Sequence, residues 1–343
     1  MTDKIEAIAG LAALKAAAEI TRLRILMLLR SSELTVKDLT QILGQSQPRL
    51  SRHLKLLHDA GQIERHREGS WVFFRLANAE FTRRIVGGFE TSDPLFRRDR
   101  ERLKALTDER AVTAQSYFQS HAADWDHLRS LYVDETVVEA AMRRELAATS
   151  AELLVDLGTG TGRILELFSD LYARGLGIDA NQAMLNYARA KLDDGDCRHA
   201  QVRKGDIYNL NIDDGSADVV VMHQVLHHLT DPQSAISEAS RILRPSGRLL
   251  VVDFAPHDLD ALREHYAHAR LGFGDDQMQQ WFAGAQLKIL NQEKLAPGKS
   301  GEGQQLTVSI WLAERQARLR LAPEMEEANP PREVEDGRSR FSA

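Results

Sequence analysis

Apolar and polar positions repeat with two different periods along this chain, and the change of period divides it. Over residues 4–30 the apolar positions recur at helical spacing, with Ile25, Leu28 and Leu29 on one stripe, so a helix is predicted there. "TVKDLTQIL" (35–43) reads as a short second helix ended by Gly44. A third runs to about Ala60, with Ser46 as its cap, Pro48 in its first turn and Gly61 closing it. "QIERHREGSWVFFRL" (62–76) has two strand-like arms around a polar tip at residues 67–70, the pattern of a β-hairpin. From Glu80 to about Ala148 the pattern is charged and mostly helical, broken near "ETSDP" (90–94). Candidate strands then follow at 153–158, 173–179, 200–206, 217–225 and 247–254, with helical patterns between most of them. That alternation predicts a mainly parallel sheet of βαβ units. "KILNQEKL" (288–295) and "LTVSIWLAE" (306–314) have no helix between them and are predicted to pair antiparallel at the sheet edge.

Helix, helix, helix, hairpin is the order of a winged helix-turn-helix. The fold class expected is α/β overall: a mainly α winged helix with a β-hairpin wing, then a Rossmann-like domain with a mostly parallel seven-stranded sheet. The expected division is 1–92 for the winged helix, 93–150 for a helical connector, 151–316 for the α/β domain and 317–343 for a disordered acidic tail.

A length of 343 residues fits two domains. One cysteine, Cys197, rules out an internal disulfide framework and fits a reducing cytoplasm. No apolar run is long enough to span a bilayer, and the Ala-rich start carries Asp3, Glu6 and Glu19 without a cleavage pattern, so neither a membrane partner nor a signal peptide is expected. The net charge of −6 is uneven: residues 1–92 hold fourteen Lys and Arg against ten Asp and Glu, a balance of +4 that leaves −10 for the rest. Any nucleic-acid contact is therefore expected near the N-terminus.

"VDLGTGTGR" (155–163) places a glycine-rich turn after an apolar run, the usual cradle for a nucleotide. The dinucleotide fingerprint G-x-G-x-x-G fails here, because Arg163 stands where the third glycine would be. Gly158, Gly160 and Gly162 give G-x-G-x-G instead, with Asp156 two residues before it. A carboxylate there would repel a pyrophosphate and accept a bond from an ammonium, which favours a ligand with a cationic amino-acid end. Asp179 ends the second strand 21 residues after Gly158 and can accept ribose hydroxyls, although a helix cap would place an Asp there too. Asp206, in "GDIYNL" (205–210), is a candidate for an adenine amino group or a plain turn residue.

With "HQVLHHLTDP" (223–232) and "RILRPSGRLLVVDF" (241–254), these residues make 150–315 resemble a class I S-adenosylmethionine (SAM)-dependent methyltransferase. The resemblance implies SAM, or S-adenosylhomocysteine as ligand, with the methionine end on Gly158, Thr159, Gly160 and Gly162, the ribose on Asp179 beside Ala180 and Met184, and the adenine on Asp206 and Ile207. It departs mildly at "LRPSG", where Ser246 replaces the first glycine of the family's turn.

On the third helix Leu50, Leu54 and Leu57 share one face and Arg52 and Lys55 the other, flanked by Arg49 and Ser51, with Ser46, Gln47 and His53 nearby. Such a face suits the major groove, with Arg for guanine, Gln for adenine and Lys for phosphate, while His66 and Arg67 of the hairpin would reach the neighbouring backbone. "LTVKDLTQIL", "SQPRLSRHLKLLHDAG" and "ERHREGSWVFFRL" follow one another as in the ArsR/SmtB repressors, so residues 10–78 resemble that family. It implies a homodimer, joined through terminal helices, on double-stranded operator DNA. Thr35 and Lys37 stand where arsenic- and cadmium-sensing members carry cysteines, and residues 79–90 contain no His, so no metal site is expected.

Catalytic candidates are His223, at the end of the fourth strand of the α/β domain and also expected to contact the cofactor, and His265 and His268 in "REHYAHARLGF" (263–273). His227 and His228 read more simply as a turn and helix start. A DNA methyltransferase is disfavoured, because "HQVLHHL" replaces the Asn/Asp-Pro-Pro-aromatic turn used on base amino groups. Two functions remain: a regulator, expected to be a repressor, whose methyltransferase domain senses SAM or S-adenosylhomocysteine, and an active small-molecule methyltransferase whose winged helix tunes its own operon.

Overall fold

The computed structural model describes residues 5–68, 70–77, 80–122, 125, 134–194, 197–296 and 306–317. The expected disordered tail lies, but for its first residue, outside the described residues.

Helices α1 (Ala7–Ala17) and α2 (Ile20–Leu29) replace the single helix expected over residues 4–30. Glu19 is the reason: its extended backbone breaks the first helix and its side chain accepts from the Arg22 N–H at 3.0 Å, capping the second. Next come the two-residue β1 (Leu34–Thr35), α3 (Val36–Leu43) and α4 (Gln47–Asp59). Thr35 and Asp38 form a reciprocal capping box at the start of α3, and Gly44 ends it in the left-handed region at φ 66°. Ser46 occupies the N-cap position of α4 as expected, but its side chain makes no capping bond; Pro48 sits in the first turn. The hairpin is β2 (Ile63–Glu68) and β3 (Trp71–Leu76), and β1 joins it to give an antiparallel sheet in the order β1-β3-β2.

Helices α5 (Glu80–Gly87), α6 (Pro94–His121) and α7 (Glu135–Leu146) lead to the second sheet. The long α6 gives Leu103 and Leu106 to the core formed by Ile25, Leu39, Ile42, Leu50, Leu54 and Leu57. A buried Arg24–Asp99 ion pair and the Arg110–Asp38 pair also fasten it there.

Strands β4 (Ala151–Leu157), β5 (Tyr172–Asp179), β6 (Ala200–Lys204), β7 (Ala217–His223), β8 (Leu243–Phe254), β9 (Leu287–Leu295) and β10 (Val308–Arg315) form a seven-stranded sheet in the order β6-β5-β4-β7-β8-β10-β9. Pairing is parallel from β6 to β8, and β10 enters antiparallel between β8 and β9. Every residue of β7 is buried, as a central parallel strand covered on both faces requires. Helices α8 (Arg163–Leu167), α9 (Gln182–Asp194), α10 (Pro232–Ile242), α11 (Ala261–His265) and α12 (Asp275–Gly284) complete the chain, with one apolar core on each face of the sheet. The chain runs outward from β4 to β6 and returns to β7 on the other side of β4. That switch point opens a crevice at the carboxyl ends of β4 and β7, where open α/β sheets bind ligands.

Candidate functional site

The crevice widens into a cavity of about 1590 Å³ lined by both parts of the molecule. From the sheet side come Gly158, Thr159, Gly160, Asp179, Ala180, Met184, Asp206, Ile207 and His223. All three glycines of the turn have left-handed φ, at 77°, 51° and 82°. Gly158 is the tightest, since a Cβ would stand 2.3 Å from Val225 Cγ2. The Asp179 carboxylate accepts the Gly160 N–H at 2.9 Å and the Asn181 N–H at 2.7 Å. Burial raises its pKa, and the N–H groups of Asn181, Gly160 and Ala180 oppose the rise. Asp206 caps its own loop by accepting the Tyr208 N–H at 3.0 Å.

Two expected cofactor residues stand apart from the cavity wall. Asp156 is buried on the β4 face shared with Leu154, and Gly162 backs onto Ala188 of α9, a Cβ there lying 3.2 Å from that of Ala188. Of the catalytic candidates, His223 and His268 line the cavity, with His223 Nε2 4.0 Å from Glu135 Oε2. His265 is exposed beside Glu264 and does not line it.

Sequence reading missed several walls. Phe118 and Trp125 pack edge to face near Gly160, and Phe118 also meets His228. Gln115 of α6 accepts from Asn181 Nδ2 through its backbone carbonyl and side-chain oxygens, both at 3.1 Å, while Asn181 Oδ1 accepts the Ala183 and Met184 N–H groups at the start of α9. Gln224 and Ala267, both on the wall, have positive φ of 50° and 55° without being glycine, the kind of backbone strain that persists where surrounding structure imposes it.

On the other side Glu33, Lys37, Ser70, Trp71 and Phe73 belong to the helix–hairpin unit. The hairpin is tied to the stretch between β8 and α12 by a buried ion cluster. Glu68 accepts from Arg263 at 2.7 Å, from Arg270 at 3.3 Å and from the Leu271 N–H at 3.3 Å; Arg270 also donates to Glu33 at 2.9 Å. The Arg270 guanidinium lies 4.3 Å from the Phe73 ring centre and that of Arg263 lies 4.7 Å from Trp71. Burial alone would raise the Glu68 pKa, but the His66 hydrogen bond and the Arg270 and Arg263 charges outweigh it, so the carboxyl lies below its ordinary 4.5.

On α4, Ser46, Gln47, Arg49, Ser51, Arg52 and Lys55 are exposed, while Leu50, Leu54 and Leu57 are buried beneath them. Lys55 pairs with Asp59 at 2.6 Å along the same face. His53 turns toward Glu19 at 3.5 Å, and burial lowers its pKa. The hairpin residues divide. Arg67 is exposed, whereas His66 stacks on Phe73 and stands 3.2 Å from Glu68 and 3.5 Å from Glu33, facing the ion cluster.

Residues 20–65 match the family described as "Bacterial regulatory protein, arsR family", and residues 155–251 match "Methyltransferase domain". The chain joins an arsR-type region to a methyltransferase domain. A 37.1 kDa protein in transposon Tn4556 of Streptomyces fradiae is 32% identical over 49% of this chain and 49% of its own length. The ubiquinone/menaquinone biosynthesis C-methyltransferase UbiE of Vibrio campbellii is 31% identical over 46% of this chain and 64% of its own length. The chain thus spans less than two thirds of either relative. The YcgJ protein of Bacillus subtilis superposes with a TM-score of 0.45 at 19% identity, covering 52% of this chain and 98% of that one. Both matched regions contribute to the cavity lining, Glu33 and Lys37 from the first and Gly158, Asp179 and His223 from the second.

Proposed function

We propose that the chain is a DNA-binding transcriptional regulator, a repressor, whose methyltransferase domain binds SAM or S-adenosylhomocysteine and reports it to the wing. The observation that carries this reading is the Glu68 cluster, which fastens the last residue of β2 to the stretch that covers the cavity. Ser70, at the hairpin turn, adds a second tie by donating its N–H to Asp260 at 3.2 Å. The α6 helix adds a third, pairing Arg110 with Asp38 of α3 and, further along, Gln115 with Asn181. A ligand that settles the cover in one position therefore acts on the wing and α3 through short contacts, of which those of Glu68 are buried. Coupling needs a ligand affinity that differs between DNA-competent and incompetent states, and by linkage DNA must alter ligand affinity by the same factor.

In this reading Gly158 to Gly160 serve the methionine end, Asp179 the ribose, and Asp206 and Ile207 the adenine. The exposed α4 face enters the major groove and Arg67 of the wing reaches a phosphate. A homodimer fits α1, which exposes Ile8, Leu11 and Leu14 along one side. Among the described residues no helix is long and apolar enough to cross a membrane.

A second reading, an active small-molecule methyltransferase, draws on the cavity's size. Its volume of about 1590 Å³ exceeds the roughly 300–1,000 Å³ of common ligand pockets and leaves room for an acceptor beside the cofactor. The acceptor's lone pair would take the methyl carbon, the C–S bond would break to leave the neutral thioether, and a neutral histidine on the wall would receive any proton released.

The test of the main reading is the double variant Arg52→Ala/Lys55→Ala in the full chain. It should lose binding to DNA from upstream of its own gene, with a shallower salt dependence, and retain SAM binding. Normal DNA binding by this variant would overturn the role given to α4.

A further inference from the structure

Three imidazoles meet at the edge of the cavity, outside the set the cofactor reading uses. His227 and His228 lie in the 3₁₀ turn after β7, and His268 follows α11 forty residues later. Ring centres are 4.0 Å apart for His227–His228, 4.2 Å for His227–His268 and 5.1 Å for His228–His268. One nitrogen from each can be chosen so that all three lie within 4.8 Å of one another. We propose that His227, His228 and His268 form a zinc site with an open coordination position on the cavity.

The hydrogen bonds around the rings match what a metal needs. His227 Nδ1 is 2.7 Å from Oδ1 of the fully buried Asp253, and His228 Nδ1 is 3.1 Å from the Ala267 carbonyl oxygen. Both contacts place the proton on Nδ1 and leave Nε2 with a lone pair, the arrangement in which metal-bound histidines are oriented by a carboxylate or a carbonyl behind them. Asp253 is itself held, accepting the Phe254 N–H at 2.8 Å.

The nitrogens turned away from these partners are the second observation. His228 Nε2 and His268 Nδ1 are buried and have no hydrogen-bond partner among the described residues. A buried polar nitrogen without a partner is unfavourable, so two together call for a shared partner. Aromatic packing accounts for the rings, since His268 also stacks on Phe254, but does nothing for their nitrogens.

Three imidazoles without a thiolate suit zinc, and three protein ligands with a fourth position open is the pattern of reactive rather than structural zinc sites. Tetrahedral Zn–N bonds require nitrogens about 3.4 Å apart, so the rings would close by side-chain rotation. Because His228 and His268 line the cavity, the fourth position would hold water or an acceptor oxygen or sulfur. The bound ion would also draw the cover inward, since the Ala269 and Arg270 N–H groups already donate to the His227 carbonyl at 2.8 and 3.0 Å.

The test is a zinc titration of the chelator-stripped full chain against a chromophoric competitor, repeated with cobalt(II) to read coordination from its visible bands. One equivalent per chain is expected, with four-coordinate cobalt bands. His228→Gln/His268→Gln should abolish the stoichiometric binding, and Asp253→Asn should weaken it by about 10–100-fold. No uptake by the wild-type chain, or equal uptake by the double variant, would overturn the proposal. If the double variant fails to fold by circular dichroism, X-ray absorption at the zinc edge of the loaded wild-type chain decides: three imidazole ligands support the site, and fewer refute it.

Discussion

Replacing Glu68 with Gln removes one negative charge from the cluster that joins the wing to the cover of the cavity. In the native chain two carboxylates, Glu33 and Glu68, face two guanidiniums, Arg263 and Arg270, with Arg270 only 3% exposed. The variant leaves one buried positive charge uncompensated. Losing one partner of a buried pair costs about 3–5 kcal/mol, and the lower end applies because Glu33 stays 2.9 Å from Arg270 and the amide oxygen still accepts. Urea unfolding should therefore show a loss of about 3 kcal/mol. The more telling assay is the effect of SAM on DNA affinity: a native change of about 5–150-fold should fall toward unity while each ligand alone still binds. The sign with pH follows from the lowered Glu68 pKa. The carboxylate's contribution is fully present above about pH 4.5, its unfolded value, and fades as pH falls through the lower folded value, with His66, Arg263, Arg270 and Glu33 facing it. A variant that lost the stability but kept the full SAM effect would refute the claim that this cluster carries the coupling.

Other substitutions test separate parts of the account. Asp179→Ala should weaken SAM binding by about 10–100-fold in calorimetry, because a carboxylate that would accept ribose hydroxyls is removed. Gly158→Ala should lower SAM affinity about tenfold or more, since the new Cβ meets Val225 at 2.3 Å on a backbone of φ 77°. Ser246→Gly should stabilise the fold by about 0.5–1 kcal/mol, because Ser246 holds φ 62°; urea midpoints would show it. Leu11→Glu, on the exposed side of α1, should shift a dimer to monomers in light scattering.

Much of the fold could be read from the chain because its signals are local. The period-2 and all-apolar runs gave the strands to within a few residues, and the glycine turn and the exposed Arg52–Lys55 face stood in single stretches. What escaped was set by contacts between distant residues. Asp253 and His227 are 26 residues apart, and Glu68 and Arg270 are 202 apart; no periodicity marks either pair. His66 shows the same limit, since alternation in β2 places it opposite Arg65 and Arg67 but cannot say that its face meets Glu33 and Phe73. Glu19 was a signal within reach, because an acidic residue three positions before the Arg22 N–H caps a helix and so divides the first helical stretch.

Coupling between the cavity and the DNA-reading face is decided by calorimetry of SAM binding to the full chain, with and without saturating DNA from upstream of its gene. DNA is expected to change SAM affinity, and SAM to change DNA affinity by the same factor. SAM binding of equal strength with and without DNA would contradict it.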